Sequence, residues 1–165
     1  MKKSFIFRFN TFMMAAYVGV EGFNLPTGFI CKELCIVYPN NEFDHYLMKS
    51  PGWTLTAADK RTILYTTQNL NNLQFRDGKV PYEHLLNILD PINDTVIYTY
   101  GDAASAFLQK LLPTTVVKNL QRDGYVMPKQ LPDSGCFRKH CARYCAKAKA
   151  IAIKDFVENH TNYEI

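Results

Sequence analysis

TVIYTYGDAASAFLQKLL, residues 95 to 112, decides how this chain folds. Its first part, Thr95 to Tyr100, is built around Val96-Ile97-Tyr98 and reads as a buried-type strand. Gly101 ends that run and opens a helix in which Ala104, Phe107, Leu108, Leu111 and Leu112 recur at helical spacing. Downstream the alternation continues, with a short strand at Thr114 to Val117, a loop from Gly124 to Ser134, and a last helix from about Arg138 to Asn159.

Upstream the texture is different. Met13 to Val20 is an apolar, partly β-branched run closed by Glu21-Gly22. Phe29 to Val37 is a second run, and His45 to Met48 a short third. The turn Tyr38-Pro39-Asn40-Asn41 between them predicts an antiparallel hairpin. Thr56 is placed to cap a helix starting at Ala57, with Lys60 to Thr67 as its body. Asn69 to Gly78 is turn-rich, and Pro81 suits the first turn of a helix that carries Leu85, Leu86 and Ile88 and stops near Pro91. An antiparallel start followed by alternating strand and helix predicts an α/β fold, a mixed sheet with helices on both faces. With no repeat or linker, residues 1–165 read as one domain with its core at about 13–160.

Composition narrows the class. Of 165 residues, 47% are hydrophobic and 13% aromatic, enough for a packed core and too much for a disordered chain. A net charge of +4 permits an acidic partner without demanding one. The five cysteines fall into two local groups, Cys31/Cys35 and Cys136/Cys141/Cys145, which favours reduced thiols or a metal over a disulfide framework. Cys31 and Cys35, at even spacing on a strand, are expected on one face in the core. Lys2 and Lys3 imitate a signal peptide, but Arg8 and Asn10 interrupt the apolar run that would follow. No segment has the length of a membrane span, so no membrane partner is expected and the expectation is an intracellular protein of cytoplasm or nucleus.

The chemistry concentrates in CFRKHCARYCAKAK, residues 136 to 149. Cys136, His140, Cys141 and Cys145 have the donor types of a Zn²⁺ site, at short spacings and without two separated knuckles. On the predicted last helix, Lys139, Arg143, Lys147 and Lys154 form a stripe opposite Cys145, Ala152 and Phe156. Such a stripe is either a solvated face or a phosphate-contacting one, and Arg138, Lys139, Arg143 and Lys147 are the candidate nucleic-acid contacts. Gly101 at its strand-to-helix junction is a turn residue or a phosphate-binding one.

Four segments together resemble the ribonuclease H-like fold and, within it, the DEDDh 3′–5′ exonuclease branch. They are YVGVEGF at 17 to 23, NNLQFRDGKVPYEHLLNIL at 71 to 89, IYTYGDAASAFL at 97 to 108 and HCARYCA at 140 to 146. The resemblance spans roughly Ala15 to Glu158 and is closest to a divergent group associated with arthropod genomes and their viruses or mobile elements. It implies two Mg²⁺ or Mn²⁺ ions held by carboxylates about 3.5–4 Å apart, with a histidine as general base. Glu21 matches the glutamate of the first motif and His140 the base, while Asp102 lies two positions before the second motif's acid. Gly19, Ala104 and Cys145 stand where the remaining acids belong, and a thiolate is a poor Mg²⁺ ligand. The resemblance therefore implies a catalytically degenerate domain, a pseudoenzyme without cofactor that binds nucleic acid or a host protein. Two alternatives stay open: an active nuclease whose metals use Glu21 with Asp102, Asp77 or Asp94, and a small zinc-stabilised interaction domain.

Overall fold

The computed structural model describes residues 14–136 and 144–160. Strands β1 (Ala15–Leu25), β2 (Gly28–Val37) and β3 (Phe43–Leu47) are followed by helix α1 (Ala57–Thr66) and α2 (Leu85–Leu89). Then come β4 (Val96–Thr99), α3 (Asp102–Leu111), β5 (Val116–Asn119) and α4 (Ala146–Asn159). The five strands make one mixed sheet in the order β3-β2-β1-β4-β5. Strand β2 runs antiparallel to β1 and β3, whereas β1, β4 and β5 are mutually parallel. The expected hairpin across Asn40-Asn41 is present, with Asn41 in the left-handed region.

Alternation along β1 divides the core. Ala16, Val18 and Val20 face α2 and α3, packing with Leu85, Leu89, Ala104 and Leu108. Tyr17 faces α4 and packs, with Cys35, Val37 and Tyr98, on Ala146, Ala150, Ile153 and Val157. Helices thus cover both faces, and each buried Ile or Val of α4 contributes about 1.5–3 kcal/mol of transfer free energy.

Three expectations need correction. Glu21-Gly22 does not close the first strand: β1 continues to Leu25, because a β-bulge carries the chain past this point. Glu21 pairs with Glu33 but Gly22 with Cys31, so Lys32 is the extra residue on β2. Gly22 is required there, since a Cβ would lie 1.9 Å from the Ile30 carbonyl oxygen. The same bulge reverses the alternation, so Cys31 and Cys35 are both buried but on opposite faces of the sheet. Last, α4 begins at Ala146 and not near Arg138: Cys145 is an extended N-cap residue (φ −97°, ψ 122°) whose sulfur accepts the Ala148 N–H.

Candidate functional site

The α4 side of the sheet carries an unusual polar cluster. Because Glu21 and Glu33 are register partners on β1 and β2, their buried side chains are near neighbours beneath the N-terminal half of α4. Two carboxylates in a low-dielectric interior need partners. Lys149 of α4 forms an ion pair with Glu21 Oε2. Glu33 accepts the Ala146 N–H through Oε1 (3.2 Å), so it sits at the positive end of the α4 dipole. Its Oε2 meets His45 Nε2 at 2.6 Å and the Cys136 thiol at 3.7 Å. Nearby, burial first and the Glu33 charge second push the Cys35 thiol well above the ordinary range, leaving it unreactive.

Helix α4 approaches β1 very closely. A Cβ on Gly19 would stand 1.9 Å from the Ala146 carbonyl oxygen and 3.1 Å from the Ala150 nitrogen. No side chain fits at position 19 with α4 in place. The space that an aspartate would occupy there is filled by helix backbone, and the neighbouring carboxylate already holds an ammonium.

The other sequence-derived residues are dispersed. Asp102 is exposed at the start of α3, bonded to Arg122 Nε at 2.9 Å and to Asn119 Nδ2 at 2.9 Å. The Arg122 guanidinium, by hydrogen bond and charge, holds its carboxyl below the usual range. This group lines an open concavity of about 960 Å³ with Gln109 and Lys118, and Glu21 takes no part in it. Ala104 is buried against the opposite face of the sheet from Gly19. Glu21, expected as a surface residue if not a ligand, is buried.

On α4 the basic stripe is largely spoken for. Lys147 lies over the Phe43 ring at 3.9 Å from its centroid, and Lys154 is buried and paired with Glu158 at 2.7 Å. The solvated face expected of Lys154 is therefore not observed. Arg138, Lys139, His140, Cys141 and Arg143 lie outside the described residues. Of the cysteine group, Cys145 is buried as the α4 cap beside Ser134 Oγ (3.4 Å), while Cys136 points to Glu33.

Glu33 and His45 were missed by the sequence reading. A signal existed: Lys32-Glu33 is a charged pair inside an otherwise apolar strand run, and both side chains are fully buried. Lys32 donates to Ser50 Oγ and the Phe75 carbonyl, each at 3.1 Å, and to the Asp77 carbonyl.

No protein-family model matches the chain, and a search of curated proteins found no match.

Proposed function

We propose that this chain is a ribonuclease H-like domain of the DEDDh exonuclease kind that has lost two-metal catalysis and works by binding. The fold part is supported by the strand order β3-β2-β1-β4-β5, in which β2 alone runs against the other four. The loss of catalysis rests on one observation, the contact between Gly19 and the first turn of α4. A two-Mg²⁺ site needs carboxylate oxygens converging on open space. Here the helix backbone fills the first position, Lys149 neutralises Glu21, and Asp102 is committed to Arg122. Among the described residues, neither Asp77 nor Asp94, the other candidates for a rearranged site, belongs to a group of three potential metal ligands.

The partner is nucleic acid or a host protein, in keeping with an accessory protein of viral or mobile-element origin. Nucleic-acid contact would fall to Arg138, Lys139 and Arg143, since Lys147 and Lys149 are engaged within the domain. Incubation of labelled single- and double-stranded substrates with Mg²⁺ or Mn²⁺ tests the first part, and no cleavage is expected. Cleavage that disappears in Glu21→Gln would overturn it. Binding to nucleic acid should weaken steeply with salt and on charge reversal at Arg143; salt-independent binding, or none, selects a protein partner.

A further inference from the structure

We propose that Glu33, His45 and Cys136 form a Zn²⁺ site. This stands apart from the nuclease-like reading, since no residue of the three belongs to the motifs on which that reading rests. A carboxylate oxygen of Glu33, a ring nitrogen of His45 and Cys136 Sγ lie within 4.8 Å of one another, and each comes from a different part of the fold. Glu33 is on β2, His45 on the adjacent β3, and Cys136 at the end of the loop segment preceding α4.

The distances suit a small tetrahedral ion. Bonds of about 2.0–2.2 Å to oxygen and nitrogen and about 2.3 Å to sulfur set ligand atoms roughly 3.3–3.6 Å apart. The Glu33–Cys136 separation of 3.7 Å is already there. The Glu33–His45 contact of 2.6 Å has to open by roughly 0.7 Å, the difference between a hydrogen bond and a shared ion.

Donor chemistry selects the metal. Thiolate and imidazole favour Zn²⁺ over Mg²⁺ or Ca²⁺, which take oxygen. Charge balance also favours it: one carboxylate, one thiolate and a neutral imidazole sum to −2, so Zn²⁺ leaves a neutral cluster in a buried position. The side chains of Glu33 and His45 are 0% and 5% exposed. Outside the cluster, the Ala146 N–H fixes Glu33 through its second oxygen, as outer partners commonly orient metal ligands. A groove of about 350 Å³ lined by Phe43, Asp44, His45, Tyr46, Gly135 and Lys147 gives an ion access to the imidazole.

A Cys–His–acid nucleophile is disfavoured by the same geometry. Such a relay needs the acid on one imidazole nitrogen and the thiol on the other. Here Glu33 Oε2 meets both His45 Nε2 and the Cys136 thiol, so imidazole and thiol converge on the carboxylate and are not lined up in series through the ring. Three protein ligands leave a fourth position for water or a further side chain.

Reduced, freshly purified full-length protein, loaded with Zn²⁺ and dialysed, should retain about one equivalent by elemental analysis. Replacement by Co²⁺ should produce a thiolate-to-cobalt charge-transfer band that is absent from C136S and present in C145S. His45→Ala should weaken Zn²⁺ binding by more than about tenfold. Because removing a buried imidazole can unfold the chain, the half-exposed Cys136 supplies the deciding variant, with circular dichroism reporting its fold. Retention well below stoichiometry, a cobalt band that survives C136S, or one that vanishes in C145S would overturn the proposal.

Discussion

At position 19 a single missing side chain governs the site. Gly19→Ala forces a methyl into the Ala146 carbonyl, and overpacking against backbone should cost at least about 3 kcal/mol, read as a lowered urea midpoint. Gly19→Asp should be worse and should not bring Mg²⁺-dependent cleavage, because the carboxylate arrives only by displacing α4. Lys149→Met removes an ammonium from the buried Glu21 carboxylate and should cost about 3 kcal/mol in the same measurement. Lys32 gives a pH signature: burial lowers its pKa from 10.5 to about 8, the Asp77 charge opposing. Between those values the unfolded chain holds a proton that the folded chain has released, so stability rises with pH, by at most about 1.4 kcal/mol per unit. The window closes near pH 9, where the buried Cys31 and Cys35 thiols, both raised chiefly by burial, resist an ionisation that the unfolded chain allows. Denaturant titrations at pH 7, 8, 9 and 10 check this, and the rise should vanish in Lys32→Met.

At the level of elements, the sequence was most readable where local chemistry acts alone. Thr56 caps α1 as expected, in a reciprocal box with Asp59 whose carboxylate also accepts the Thr27 hydroxyl at 2.8 Å. Thr56→Ala should lower stability by about 1 kcal/mol, measured by thermal and urea unfolding. The strand Val96–Thr99 and the helix after Gly101 also follow from their patterns. What stayed hidden depends on neighbours distant in the chain. The bulge opposite Lys32 arises from pairing between β1 and β2, so no periodicity within β2 announces that Cys31 and Cys35 part company. The start of α4 is set by Cys145 turning its sulfur onto the Ala148 N–H, whereas the run from Arg138 onward has good intrinsic helix formers. Glycine at position 19, within a β-branched run, was the one local hint of a close approach.

On the scale of the whole molecule, the α/β class and the mixed sheet could be read from element order, while the site could not. Its members, Glu21, Glu33, His45, Cys136 and Lys149, come from four elements and a loop, and only the assembled sheet with α4 packed on it brings them together. The same strand order has a consequence in time. The β1–β2–β3 meander is made of neighbours in sequence and can form as soon as it leaves the ribosome, but the other side of β1 pairs only with β4. Until Val96–Thr99 is synthesised, the largely buried strand β1 presents an unpaired flank to the cell. Nascent chains truncated before Asp94 should therefore aggregate or recruit chaperones, and chains extended past Asn119 should be protected, as pulse proteolysis of stalled translation products would report. Birth, more than maturity, is when this protein is most exposed.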